Sequence, residues 1–296
     1  MKNFEYFAPP SLNEALSLLD NARQKAKVLA GGTDLIAQMR TGFIQPAVII
    51  DVKSIPELNR LEWSRDMTLH IGAAVPISRV VDFSFFQERF GILYQSCSLI
   101  GSTRIRNRAT IGGNVCNAAP SADSAPALLC LGARAVVAQQ KGTRVVPMGD
   151  IFRGPGKTSL AANELLVELQ IPNSPAHSAG CYIRHTPREE MDIAVVSVAA
   201  FLVFASRDKT CQEARIALGA VAPTPIRVPT AEALLARKSL TKELITQVAE
   251  KVAELSSPIS DIRSSAEYRR ELVKVLTRRA LRSACSTLSI QIESGE

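Results

Sequence analysis

Two short stretches concentrate the residue types best suited to chemistry: "LAGGTDL" at 29–35 and "ATIGGNVCNAAPSAD" at 109–123. Each joins an adjacent glycine pair to threonine and other small residues. Glycine reaches positive φ and lacks the Cβ that holds a backbone away from a ligand. Consecutive amides in such a turn form a concavity for phosphate oxygens without help from lysine or arginine. Thr33 and Thr110 would add hydroxyl donors and Asn114 an amide. A glycine pair is also the mark of a plain turn, so turn and anion cradle both stand at each place. Neither stretch matches GxGxxG or GxxxxGK[ST], which removes the Rossmann and P-loop fingerprints. "GPGKTSL" at 154–160 lacks the first glycine at the required spacing and reads as a surface turn.

The other candidates are single side chains. Asp123 can accept from a ribose hydroxyl or a ring N–H, or it can cap the helix expected over "SADSAPALLCLG". Cys116 can be a redox thiol or a small residue packed under a loop. "RHTPREEMDIAVV" at 184–196 gathers five charged residues before an apolar strand, as a site or as that strand's solvated approach. Glu189 and Glu190 are adjacent, so on a strand they point to opposite faces and form no dyad. The six cysteines include no CxxC or CxxxC pair, and the three histidines, His70, His177 and His185, are isolated; zinc and iron–sulfur frameworks lack their spacing. No Ser-His-Asp or Cys-His pattern is readable. Binding loops without an acid, base or nucleophile favour a cofactor that does the chemistry.

The elements that must position these residues follow from periodicity. In "PPSLNEALSLLDNA", Ser11 is placed as N-cap with Glu14 three residues on, and Leu12, Ala15, Leu16 and Leu19 share an apolar face. "AKVLAGG" reads as a short strand ending in glycines, "TDLIAQMRTG" as a short helix ending near Gly42, and "AVIIDV" as a buried strand, giving a βαβ-like unit. "LNRLEWSRDMTLHIGAAV" reads as a hairpin about "SRD". A helix over roughly 87–101 precedes the second glycine pair. Ala135–Ala138 and Arg144–Pro147 read as strands joined at "KG", and "NELLVELQIP" as another strand. A composition break at Pro172–Gly180 marks a linker. Beyond it, "CYIRHTPREEMDIAVVSVAAFLVF" and "ARIALGAVAPTPIRV" read as two apolar strands, followed by helical stretches over roughly 230–256 and 264–287. Strands first and helices after make the C-terminal part α+β.

Bulk properties narrow the function. The 296 residues suffice for two or three small domains, with 46% hydrophobic and 21% charged residues. Only 5% are aromatic, which argues against stacking platforms for single-stranded nucleic acid. The net charge of +7 is densest at Arg263–Arg282, a basic amphipathic helix that reads as a solvated face or as a docking face for an acidic partner subunit. No nucleic-acid motif accompanies it. The N-terminus lacks the apolar region of a secretory signal and no apolar run has membrane-span length, so the expected place is a reducing cytoplasm with free thiols.

"AGGTDL", "TIGGNVCNAAPSAD" and "DIAVV", in this order, resemble the FAD-binding (medium) subunit of molybdenum hydroxylases, the xanthine dehydrogenase and carbon monoxide dehydrogenase flavoproteins. The likeness runs from Phe4 to about Arg282 and includes "GAVAPTPIR" and "EYRRELVKVLTRRAL". It implies an α+β fold: a PCMH-type FAD-binding domain over 1–175, of two α+β subdomains at about 1–54 and 55–175. A C-terminal α+β domain over 176–290, a three-stranded sheet with a helical bundle, would follow. The resemblance implies that Leu29, Ala30, Gly31, Gly32, Thr33, Asp34 and Leu35 cradle the pyrophosphate. Ala109, Thr110, Gly113 and Asn114 would bind the diphosphate side of FAD, with Cys116 lining the site. Asp123 would bond the sugar or adenosine region, and Ile100 and Leu166 would flank the nucleotide. Arg184 matches a basic position near the flavin, which Asp192 and Ile193 would approach.

The implied role is electron relay. A large molybdopterin subunit oxidises substrate, a small subunit carries two [2Fe-2S] clusters, and FAD in this chain collects the electrons. The implied assembly is a dimer of heterotrimers in the cytoplasm, with no nucleic acid and no membrane span. The absence of cluster-spaced cysteines speaks against the branch whose flavin subunit carries an extra cluster. "GPGKTSL" and "NAAPSADSAPAL" resemble the xanthine dehydrogenase branch more, which implies NAD as acceptor. The alternatives are a carbon monoxide dehydrogenase medium subunit delivering electrons to quinone, a non-catalytic flavin-binding assembly protein, and a stand-alone flavin oxidase, the last disfavoured by the missing acid–base residues.

Overall fold

In the computed structural model, residues 2–205 and 210–293 are described. They form two compact units, each made of non-contiguous segments. The first takes residues through Phe83, Gly101–Ala118 and Ala133–Asn173; the second takes Ser84–Ile100, Ala119–Gly132 and the chain from Ser174 onward.

The first unit holds two sheets. In the smaller, strand Val48–Asp51 lies between Glu5–Phe7 and Ala26–Leu29, parallel to both. The βαβ unit is therefore present: strand Ala26–Leu29, helix Leu35–Arg40, strand Val48–Asp51. Ser11 accepts from the Glu14 amide at 3.3 Å and starts helix Leu12–Ala22, whose buried residues are Ala15, Leu16 and Leu19. The larger sheet runs Leu61–Trp63, Leu69–Gly72, Leu165–Ile171, Arg134–Gln139, Gly142–Pro147, antiparallel throughout. The expected hairpins about "SRD" and "KG" both form. "GPGKTSL" also lies on a small hairpin, strands Phe152–Gly154 and Lys157–Thr158, with Gly156 at φ 67° supplying the turn.

The second unit is built on a sheet of strands Ser178–His185, Val196–Phe204, Cys211–Gly219 and the two-residue Ile226–Arg227. The "CYIRHTPREEMDIAVVSVAAFLVF" run is thus two antiparallel strands, not one, with Glu189 and Glu190 exposed in the loop that joins them. Strand Val196–Phe204 is buried almost throughout. Val196, Val198, Ala200 and Leu202 belong to the core with Ile245, Val248, Val273 and Leu281 of helices Lys242–Glu254 and Ala266–Thr287. Helix Ser124–Cys130 also packs on this sheet, with the Cys130 thiol donating to the Ala199 carbonyl at 3.5 Å. Burial on both faces explains an unbroken apolar run where alternation would mark a half-exposed strand. The single helix expected over 87–101 is two, Phe86–Arg89 and Gly91–Ser98, interrupted at Phe90, whose φ of −128° and ψ of 47° are not helical.

Candidate functional site

In the first unit the two glycine motifs meet. A Cβ on Gly31 would collide with the Arg108 carbonyl oxygen and lie 2.8 Å from the Ala109 Cα. Gln38 reaches Asn117 at 3.5 Å. The glycines of each pair do different work. Gly31 allows backbone to lie against backbone, as does Gly112, whose added Cβ would meet the Ala73 Cα, Cβ and O at 2.7 Å each. Gly32 supplies a left-handed turn, with φ 75°, a conformation that costs an L-residue with a side chain.

That turn leaves a run of unused donors. Ile36 N–H donates to the Gly32 carbonyl at 3.0 Å and Gln38 N–H to Asp34 at 2.9 Å. The amides of Gly31, Gly32, Thr33, Asp34 and Leu35 have no acceptor among the described residues. Successive free amides about a left-handed residue form an anion-binding concavity, and they abut the start of helix Leu35–Arg40. The row falls within "LAGGTDL", where the sequence leaves a plain turn and an anion cradle both open.

The second motif departs from expectation. "TIGGNVCN" is not a loop: Ile111–Asn117 is a helix, capped by Thr110, whose hydroxyl accepts from the Gly113 amide at 2.8 Å. Such a cap is worth about 1 kcal/mol. Ala109 and Thr110 are buried, and Ala109 accepts from the Ile77 amide at 2.8 Å. The second glycine pair therefore opens a helix, and through Arg108 and Ala109 the chain just before that helix lies against Gly31 of the first loop. Gly113 and Asn114 lie in its first turn, with Cys116 exposed. Leu166 is buried in strand Leu165–Ile171.

The second unit holds a different cluster. Asp123 accepts from the Tyr182 hydroxyl at 2.6 Å through one oxygen and from Arg184 Nη1 at 2.7 Å through the other. It begins helix Ser124–Cys130 but makes no capping bond, so the cap reading of Asp123 is not what the side chain does. Burial pushes its carboxyl above the usual carboxylate range against the pull of Arg184 and Tyr182, and burial together with Asp123 pushes the Tyr182 hydroxyl far up. Tyr182 was not singled out from the sequence; its position two residues before Arg184 on a strand, hence on the same face, was the available signal. Asp192 accepts from the Ile193 amide at 2.8 Å and from Arg188 N–H at 3.1 Å, and these donors hold its carboxyl below the usual range. Ile193 is exposed, and Ile100 is half-buried just past helix Gly91–Ser98. Among the described residues no group of three or more His, Cys, Asp or Glu is arranged to hold a metal ion. No helix among them is long and apolar enough to cross a membrane.

A family model described as the FAD binding domain in molybdopterin dehydrogenase matches residues 2–174. A second, the CO dehydrogenase flavoprotein C-terminal domain, matches residues 182–284. The chain belongs to the FAD-binding subunit family of the molybdenum hydroxylases. It is similar to the xanthine dehydrogenase FAD-binding subunit of Escherichia coli O157:H7, 33% identical over 280 residues, 94% of this chain and 95% of that one. It is equally similar to the carbon monoxide dehydrogenase medium chain of Hydrogenophaga pseudoflava, 33% identical over 281 residues, 95% and 96% of the two chains. A solved structure of carbon monoxide dehydrogenase from that organism matches with a TM-score of 0.92 at 33% identity, covering 96% of this chain and 98% of its own. FAD fits the residues present: the free amides at 31–35 suit a diphosphate and require no cationic side chain.

Proposed function

We propose that this chain is the electron-transfer subunit of a xanthine dehydrogenase-like molybdenum hydroxylase. In this reading it takes electrons from [2Fe-2S] clusters of a small partner subunit, with substrate oxidised at molybdopterin in a large one, and passes them to NAD. The observation that carries the reading is the row of five acceptor-free amides at Gly31–Leu35, about the left-handed Gly32. These amides bind the FAD diphosphate; Gly31, packed on Arg108 and Ala109, fixes the loop, and the Thr110-capped helix backs it. Bound FAD supplies the conversion between single-electron input and hydride output. The chain's own part is to hold the cofactor, because its described residues include no side-chain constellation for substrate acid–base work. The branch is favoured by the wording of "GPGKTSL" and "NAAPSADSAPAL"; the equal identity to a carbon monoxide dehydrogenase medium chain supports the second reading, delivery to quinone. Mixing the flavin-loaded complex with NADH in a stopped-flow instrument separates them: rapid bleaching of the flavin is expected, and no reduction by NADH with reduction by quinol would contradict the NAD assignment.

A further inference from the structure

The amide row at Gly31–Leu35 has a second anchor besides the packing of Gly31 on Arg108 and Ala109. It lies at the carboxyl edge of the three-stranded parallel sheet, the edge at which open parallel sheets carry their ligands. There Leu29, the last residue of its strand, stands in register with Asp51, the last residue of the central strand. The Val52 N–H donates to the Leu29 carbonyl at 3.0 Å. The stretch that leaves Leu29 is "AGGTD" and the one that leaves Asp51 is "VKSI". The place of Val52 therefore fixes where the amide row departs from the sheet.

Val52 is placed in turn by the side chain before it. Asp51 is 7% exposed. Its Oδ1 accepts from the Lys53 amide at 3.0 Å, so a side chain closes the turn over Val52. Its Oδ2 accepts from the Tyr6 hydroxyl at 2.6 Å and from the Lys53 ammonium. Tyr6 belongs to the edge strand Glu5–Phe7, which lies across the central strand from Leu29. One carboxylate thus ties the edge strand, the central strand and the turn together. Asn59 holds the far side of the turn, donating to the Lys53 and Ile55 carbonyls at 2.7 and 2.9 Å. Burial opposes the charge on Asp51, but the bonds from Lys53 and Tyr6 outweigh it and hold the carboxyl below the usual range. Tyr6 and Lys53 are exposed, so water would serve them if the carboxylate were gone. A carboxylate so desolvated adds little net stability over an apolar residue of similar volume. Its contribution is to geometry.

We propose that Asp51 is a positioning residue for the amide row. Through the turn it closes at Lys53 and the Val52–Leu29 bond, it sets where the amides of Gly31–Leu35 stand, and so sets the preference for a flavin with a diphosphate. This rests on the reading that those amides bind the FAD diphosphate. A residue that served only the stability of the sheet would lower the melting temperature and leave that preference unchanged.

The test titrates the flavin-stripped full chain with FAD and with FMN, in wild type, Asp51→Leu and Asp51→Asn, beside a thermal melt. Asp51→Leu should keep the wild-type melting temperature, while its FAD-to-FMN affinity ratio shrinks at least about tenfold. Asp51→Asn keeps an oxygen that can accept from the Lys53 amide and should restore most of the ratio. An unchanged ratio in Asp51→Leu overturns the proposal. So does an Asp51→Leu chain that fails to fold or melts far below wild type, which would make Asp51 a support of the sheet. An Asp51→Asn ratio as poor as that of Asp51→Leu would overturn the turn as the route. A wild-type chain that binds FMN as tightly as FAD would instead bring down the diphosphate reading, and this proposal with it.

Discussion

Gly31→Val should yield a chain that purifies without flavin and melts well below wild type. The added Cβ would occupy the place of the Arg108 carbonyl oxygen and press on the Ala109 Cα at 2.8 Å. Both are backbone atoms, which cannot rotate aside as a side-chain end can. Forced overpacking costs about 1–3 kcal/mol, and valine's branches place this variant at the upper end. About 3 kcal/mol corresponds to a fall of roughly 6–12 °C for a chain of this size class. The displaced loop would also scatter the amides of Gly31–Leu35, so flavin loss should exceed what the melting shift alone predicts. Gly113→Ala is the contrasting change: its Cβ would meet only the Thr110 hydroxyl oxygen, at 3.0 Å, and should cost far less. Visible flavin absorbance per chain, measured beside the thermal melt, decides the matter; a Gly31→Val chain with full flavin would mean that the loop does not hold the cofactor.

Asp123→Ala should be the most destabilising single change in the second unit. Arg184 has a side chain only 4% exposed and donates to Asp123 at 2.7 Å, while Tyr182 donates to the other oxygen. Removing the carboxylate strands a buried guanidinium and orphans a buried hydroxyl, an effect of about 3–5 kcal/mol. Asp123→Ala/Arg184→Met should recover much of the loss, because an apolar pair needs no compensation. Urea unfolding of the three chains measures this; a loss under about 1 kcal/mol for Asp123→Ala would show that solvent replaces the carboxylate freely. The pH dependence has a definite sign. Burial raises the Asp123 carboxyl above its unfolded value, so the native state binds that proton more tightly. The site's contribution therefore favours the fold at low pH and weakens as pH rises through the carboxylate range into the raised one.

The parts of this fold that local patterning dictates were readable. Ser11 and the spacing of Ala15, Leu16 and Leu19 define the first helix, and "AKVLAGG…AVIIDV" defines the parallel pair because two apolar runs flank a glycine turn. The helix at Ile111–Asn117 was hidden because two glycines and two asparagines have poor helix propensity. Only the Thr110 cap and burial against Ala73 explain it. The loop between the strands Ser178–His185 and Val196–Phe204 is hidden in the sequence, where the charged stretch reads equally as a site or as a strand's solvated approach, since apolar runs buried on both faces carry no alternation to mark their ends. The left-handed turn was legible in "GGTD" because backbone conformation there follows from residue type. The bonds of Asp123 to Tyr182 and Arg184 were not, since they join residues 59 and 61 positions apart and no local rule links them.

The central claim is that the amides of Gly31–Leu35 bind the diphosphate of FAD, and comparing FAD with FMN tests it most directly. FMN carries the same isoalloxazine but no diphosphate bridge. Equilibrium titration of the flavin-stripped chain should show FAD binding at least about a hundredfold more tightly, roughly 2.7 kcal/mol for the second phosphate and the adenosine that FMN, with its single phosphate, lacks. Equal affinity for FMN and FAD would contradict it.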